Sequence, residues 1–423
     1  MRMAMKGIRL FVLAIALIFA AQAYSQEKEI ETLCEETIQD LKGNILPFWM
    51  NKDVDPNGGF YGFLTFDGRP RSNAPKGGVL NARILWSFSS GYRLFGNKEY
   101  LELANRAQRY FIDYFIDKKY GGTYWIVGAD GAPLDSTKQT YGIAYGIYGL
   151  SEHFRATGNN ESLQKAKELY IAMETHVRDS IKEGYIDAFT RSWGRSSHIA
   201  YKGRATKTMN THIHVLEAYT SLYRVWKDAG LRQRLETLIH LVSEKLYNPV
   251  THHLILYCDS DWNSLDDIDS YGHDIETSWL LSEAAEVLGD EALKVKIDKI
   301  AVDMAETALK EGGTPEGGMI YERKGTHYQR ELSWWCQAET VLGCINAWQI
   351  TGDEKFLNSA IKTWTFIKTK MIDPVYGEWY STVSDTGKAM KKEPKANMWR
   401  CPYHNSRMGY EIYTRLKRGE GQN

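Results

Sequence analysis

Tyr120-Gly121-Gly122-Thr123-Tyr124-Trp125 is the stretch from which the fold can be read, because the chain repeats it. Related segments are Asn57-Gly58-Gly59-Phe60-Tyr61, Glu183-Gly184-Tyr185 and His252-His253-Leu254-Ile255-Leu256-Tyr257. Glu316-Gly317-Gly318-Met319-Ile320-Tyr321 and Tyr376-Gly377-Glu378-Trp379-Tyr380 complete the set. Positions 59, 122, 184, 253, 318 and 377 are separated by 63, 62, 69, 65 and 59 residues. Six units of similar length define a repeat architecture rather than the two or three domains that length alone suggests. The fourth unit is the poorest match, since it lacks the glycine.

Between these segments the apolar period is helical. Leu101, Ala104, Ala107, Phe111 and Phe115 recur at steps of three and four, as one buried stripe requires. The pattern predicts helices over 28–45, 80–94, 97–117, 138–156, 160–179, 208–227, 230–246, 273–288, 290–309, 331–350, 353–370 and 402–416, two per unit. Asn97, Asn160, Asp290 and Asp353 are placed to cap helix starts, and Gly96, Gly158, Gly289 and Gly352 to end helices. Six hairpins of equal length, with polar residues on alternate helices, predict a closed (α/α)6 barrel. Six inner helices would line a cavity and six outer ones would cover it. An open solenoid is the alternative.

The N-terminus reads as a leader. Arg2, Lys6 and Arg9 precede an apolar run of twelve, Leu10 to Ala21, and Ala21-Gln22-Ala23 has the small-x-small pattern of a cleavage site. Residues 1–23 are expected to be a signal peptide and 24–423 the barrel domain, exported to the periplasm or medium. The 423 residues carry Lys+Arg 52 and Asp+Glu 53. Removing the three leader cations leaves 49 against 53, or −4. No basic excess exists to neutralise phosphates, so a nucleic-acid partner is not expected. No other run approaches membrane length. Hydrophobic residues make up 43%, which excludes a disordered chain. The five cysteines, Cys34, Cys258, Cys336, Cys344 and Cys401, have no CxxC spacing and are expected to be mostly buried free thiols.

Chemistry-bearing residues share one phase of the repeat. Arg83, Tyr141, Asn210, His214, His273, Glu276, Trp334, Trp335 and His404 all fall in the first turns of the helix that follows a repeated segment. A closed ring would bring them to one end of the cavity, where helix N-termini favour a developing anion. The spacing of Glu276 lets it orient the His273 imidazole. His212 is expected to be structural, and His153, His176 and His240 to lie on outer helices. Asp266-Asp267-Ile268-Asp269 lacks the spacing of a calcium loop and reads as a solvated rim. HExxH, GxGxxG, P-loop and GxSxG motifs are absent, so neither metal nor cofactor is expected. The content of Trp 13, Tyr 26 and Phe 14 suits a wet pocket that stacks on sugars. Histidines, an arginine and stacking rings fit proton transfer at the carbon beside a sugar carbonyl. Two bases on opposite faces and a cation on the enediolate oxygens would perform it.

Asn210-Thr211-His212-Ile213-His214-Val215-Leu216-Glu217, Gly272-His273-Asp274-Ile275-Glu276, Trp334-Trp335-Cys336-Gln337-Ala338-Glu339 and Trp399-Arg400-Cys401-Pro402-Tyr403-His404-Asn405 resemble the helices of the N-acylglucosamine 2-epimerase superfamily. The likeness is strongest to its cellobiose 2-epimerase branch and covers residues 28 to 417. It implies an (α/α)6 fold and interconversion of sugars epimeric at C2, on the reducing-end glucose of β-1,4-linked disaccharides, without metal or nucleotide. Carried residue by residue, it implies that His273 and His404 are the opposed acid/base pair. His214 would assist ring opening and Arg83 would steady the enediolate. Tyr141 and Asn210 would bind hydroxyls, and Glu276 would partner His273. Trp399 and one of Trp334 and Trp335 would stack on sugar, and Glu339 would stand among the substrate-binding groups. The leader departs from the many cytoplasmic relatives, so mannobiose stands beside cellobiose as substrate, with lactose a side substrate. Aldose–ketose isomerisation, glycoside hydrolysis through Glu276 and Glu339, and sugar binding without catalysis are the alternatives. The protein is expected to be a monomer. Thr190 to Lys207 reads as a lid or a solvated connector.

Overall fold

The computed structural model describes residues 24, 26–196 and 203–417. The expected leader, residues 1–23, lies outside the described residues, as does the middle of the Thr190 to Lys207 stretch.

Twelve helices follow among the described residues. The first, α1, spans 26–52 and contains a π turn at Leu41–Ile45. Then come α2 (Gly78–Phe95), α3 (Lys98–Tyr110), α4 (Thr140–Thr157), α5 (Asn160–Ala172) and α6 (Met209–Val225). Next are α7 (Ala229–Leu241), α8 (Tyr271–Leu288), α9 (Glu291–Gly312), α10 (Trp334–Thr351), α11 (Glu354–Phe366) and α12 (Tyr403–Lys417). Each even-numbered helix packs on the next even-numbered one, and α12 packs back on α2, so the ring closes. Odd-numbered helices lie outside. This is the (α/α)6 barrel that the repeat predicts; the solenoid alternative falls.

The caps explain where the helices stop. Gly96, Gly158, Gly289 and Gly352 end α2, α4, α8 and α10 in the left-handed region, at φ of 67, 71, 77 and 70°. Asn97, Asp290 and Asp353 cap α3, α9 and α11 through side-chain oxygens. The α5 cap is Asn159, one residue before the expected Asn160.

The repeated segments are rim turns. In each unit the end of the outer helix bridges to its repeated segment: Val54 with Phe60, Ile116 with Thr123, Arg178 with Tyr185, Tyr247 with Leu254, Gly313 with Met319, and Ile372 with Trp379. The fourth turn lacks its glycine because His252 itself takes the left-handed conformation, at φ 61°. Tyr247 Oη meets its Nδ1 at 2.5 Å. Short strands then lace one unit to the next. Lys76–Gly77 pairs with Ile126–Val127, Lys138–Gln139 with Ala188–Phe189, and Lys207–Thr208 with Tyr257–Cys258. Ile268–Asp269 pairs with the Glu322–Lys324 strand, and Leu332–Ser333 with Thr382–Val383. The Leu64–Ala396 bridge joins the sixth unit to the first.

A second repeat, hidden in the sequence, fastens these turns. Lys76, Lys138, Lys207 and Lys395 reach Asp55, Asp117, Asp179 and Asp373 at 2.7, 3.0, 3.0 and 2.8 Å. All four ammonium groups are buried; Lys76, Lys138 and Lys207 tie a rim turn to the entry of an inner helix, and Lys395 ties one to the segment that meets Leu64. In the fourth unit Asp269 holds the place of the lysine and pairs with Arg323. The acidic run there is therefore built into the rim, not merely solvated: Asp266 also accepts from the Tyr257 and Ile268 backbone N–H groups. All five cysteines are buried, as thiols rather than disulfides.

Candidate active site

The N-terminal ends of the inner helices surround a cavity of about 380 Å³. Its lining comprises Arg83, Tyr141, Asn210, His214, His273, Glu276, Trp334, Trp335, Trp399 and His404, together with Tyr321 and Ser333. Residues from all six units thus converge because each inner helix enters the ring at the same level. Nothing of Thr190–Ser196 or of 203–207 lines it.

Two imidazoles share the cavity with one indole between them. The Trp335 ring centroid lies 4.7 Å from that of His273 and 5.6 Å from that of His404. His404 Nδ1 lies 2.6 Å from Glu339 Oε1. Glu339 also accepts from Arg407 at 2.6 Å and from Trp279 at 2.9 Å. A carboxylate among donors leaves Nδ1 as the N–H and Nε2 as the free nitrogen. His273 Nδ1 lies 2.7 Å from Ser270 Oγ. Burial holds His273 down to about 3, helped by the charges of His214 and Arg83. Burial also holds His404 well below the ordinary range, helped by Arg83 and Arg407. Both rings are therefore neutral and able to accept a proton.

His214 is fixed from behind. Its Nδ1 lies 3.0 Å from Glu217 Oε2 and 3.0 Å from Tyr145 Oη. Burial alone would raise Glu217, but Arg407 and His214 outweigh it and bring the carboxyl to about 2. Glu217 is thus ionised and takes the His214 Nδ1–H. Arg83 donates from Nη2 to Tyr141 and Tyr145, 2.7 Å each, and from Nη1 to the Trp399 carbonyl at 3.3 Å. Burial raises Tyr141 to about 12, so it stays a neutral hydroxyl. Asn210 Oδ1 and Trp334 Nε1 are buried without a partner among the described residues, an acceptor and a donor beside the cavity. One face of Trp334 carries the Arg400 guanidinium at 4.7 Å, whereas Trp335 lies between the histidines. Trp399, 43% exposed, stands at the mouth edge-on to Trp125 and Tyr141.

Two expectations need correction. Glu276 does not serve His273; it accepts from Arg407 at 2.6 Å and lies 3.8 Å from His404. Burial, with the Glu339 charge, raises it to about 7. Spacing of three residues placed both on one helix, but the tertiary neighbour Arg407 is the stronger partner. Glu339 does not line the cavity: it is buried behind His404. Among the described residues Glu276 is then the one carboxylate in the lining, with none of them beside it to make the carboxyl pair that hydrolysis requires. Glu276, Glu339 and His404 approach one another as metal ligands could, yet the Arg407 guanidinium occupies the space between the carboxylates.

Sequence reasoning missed Arg407, Tyr145, Glu217, Ser270, Tyr321 and Ser333 as parts of this centre. Arg407 and Tyr145 share the phase of Arg83 and His214, one turn into their helices, and that phase was the available signal. Tyr321 ends the fifth repeated segment. His212 is structural as expected, bonding the Tyr185 N–H and the Thr208 carbonyl. His153, placed on an outer helix by the sequence reading, lies on inner α4, where it bonds Ser162 and Asn105. It sits near the far end of that helix, away from the cavity.

Residues 59–405 match the N-acylglucosamine 2-epimerase (GlcNAc 2-epimerase) family. The chain belongs to this family. Within it the chain is similar to the cellobiose 2-epimerase of Bacteroides fragilis, 47% identical over 388 residues, covering 90% of this chain and 99% of the relative. A cellobiose 2-epimerase of Ruminococcus albus is 38% identical over 387 residues, covering 90% and 99%. The solved cellobiose 2-epimerase of Bacillus thermoamylovorans superimposes with a TM-score of 0.88 at 39% identity, covering 91% of this chain and all of that one.

Proposed function

We propose that the protein is a cellobiose 2-epimerase-type isomerase, inverting C2 of the reducing-end glucose of β-1,4-linked disaccharides. The observation that carries this reading is the pair of neutral imidazoles, His273 and His404, flanking one cavity beside the Arg83 guanidinium. Epimerisation of an unactivated sugar needs an open aldehyde, a base on one face of C2 and an acid on the other.

His214, anchored at Nδ1, presents its other nitrogen for ring opening, in which O1 loses its proton and O5 gains one. One imidazole then removes the C2 proton. The C–H pair becomes the C1=C2 bond, and the carbonyl pair moves to O1. Arg83 stabilises the resulting enediolate. The second imidazole, which takes a proton onto Nε2 from solvent before this step, gives it to the opposite face of C2 while the first keeps the abstracted proton, and ring closure follows. Asn210 and Tyr141 hold hydroxyls, while Trp335 and Trp399 offer apolar faces to the rings. We take the monomer as the working unit, because the six units of the ring each supply lining and close the cavity between them. Residues 1–23 have the pattern of a leader, so we place the mature enzyme in the periplasm or medium. No helix among the described residues is long and apolar enough to cross a membrane.

The test is product analysis by NMR with cellobiose, mannobiose, lactose and N-acetylglucosamine, repeated in heavy water. A C2 epimer carrying deuterium at C2 is expected from cellobiose. A ketose as main product, or release of free hexose, defeats the assignment. Preference for mannobiose keeps the chemistry and changes the substrate.

A further inference from the structure

The two imidazoles have unlike supports. Glu339, a charged acceptor, stands behind His404, whereas a neutral hydroxyl stands behind His273. That hydroxyl belongs to Ser270, the N-cap of α8, at φ −108° and ψ 94°. A serine at this position ordinarily accepts from the backbone N–H two or three residues on. Ser270 makes no such side-chain bond to the helix end. Its carbonyl accepts from Asp274 N at 2.9 Å, so the turn is closed by backbone, and the hydroxyl reaches the His273 ring instead. His273 is the third residue of α8, where a capping partner's side chain would turn back toward the cap. Here the two side chains meet each other.

We infer that Ser270 is the positioning residue of His273, fixing its ring so that Nε2 faces the sugar; its catalytic meaning rests on the epimerase reading above. The hydroxyl oxygen accepts the Nδ1–H both when the ring is neutral and when Nε2 has taken the C2 proton. Ser270 therefore gains and loses no proton during turnover. It orients the ring without adding the negative charge that Glu339 brings to His404.

The test compares Ser270→Ala and Ser270→Thr in the full-length enzyme. Threonine keeps a hydroxyl and caps helices well. Alanine is expected to lower kcat about tenfold, the scale of one lost orienting hydrogen bond, with KM changed less than twofold. Threonine is expected to restore kcat to within about twofold of the parent. A purely structural cap would lower Tm in the alanine variant and leave kcat intact. Unchanged kcat in Ser270→Ala, or an equal loss in Ser270→Thr, overturns the role. A second readout does not depend on turnover: the 15N signals of the His273 ring, assigned by their loss in His273→Asn. They are expected to shift in Ser270→Ala; no shift overturns the proposal. If the parent enzyme epimerises none of the sugars while these signals shift, the epimerase reading fails and the Ser270–His273 bond stands.

Discussion

Glu339 stands directly behind His404, with Oε1 2.6 Å from Nδ1, and Arg407 Nη2 donates to the same carboxylate oxygen at 2.6 Å, 3.5 Å from that Nδ1. The imidazole is thereby held in one tautomer. Glu339→Gln keeps the shape but can present an N–H where the ring needs an acceptor. We expect kcat to fall by about ten- to a hundredfold with KM little changed, measured by steady-state kinetics.

His273→Asn and His404→Asn remove the proton-transfer groups themselves. Each is expected to lower turnover by at least about a hundredfold, the usual scale for a general acid or base. Folding of each variant is checked by circular dichroism. Near-normal turnover in either folded variant refutes the assigned role.

Asn210 Oδ1 is buried with no partner among the described residues, so a sugar hydroxyl is its natural donor. Asn210→Ala is expected to raise KM about tenfold, the worth of roughly one such bond, and to spare kcat. A proportionate fall in kcat instead would place Asn210 at the reacting carbon.

Lys76 and Asp55 form a buried pair at 2.7 Å on the rim of the first unit. Lys76→Met strands the Asp55 carboxylate. A loss of about 3–5 kcal/mol in unfolding free energy is expected, read by urea denaturation. Neither residue lines the cavity, so the folded fraction should keep its turnover. A cost below about 1 kcal/mol would mean that the rim relaxes around the vacancy.

His253 sits among Asp274 at 2.7 Å, Glu311 at 3.2 Å and Asp269 at 3.7 Å. Burial alone would lower it, but these carboxylates outweigh burial and raise it to about 9. A raised histidine stabilises the fold fully below its unfolded value, about 6.5. That contribution is lost as pH climbs through 9. The parent Tm should therefore drop between about pH 6.5 and 9.5, and His253→Gln should flatten that drop. Parallel curves for the two proteins would sink this account.

The barrel was legible because its signals are local. Apolar residues at steps of three and four, glycines at helix ends and a turn motif recurring six times are each written within a few neighbouring residues. Equal unit length then limits the ways the hairpins can bury their stripes. The lysine–aspartate pairs were not legible, since partners 21 to 28 residues apart and joined by no fixed motif declare themselves only when the rim turn folds back.

Local pattern was enough to bring Arg83, His214, His273 and His404 to one cavity, because helical phase sets the level and face of a side chain, but Tyr321 and Ser333 joined the lining unforeseen. What supports them was decided by tertiary structure alone. Glu276 is three residues from His273 yet turns to Arg407, and Ser270 takes its place. Glu339 looked like a sugar ligand and instead stands behind His404. The physical reason is that a buried charge goes to the partner with the best geometry in three dimensions. In a closed ring, that partner comes from another unit as readily as from the same helix.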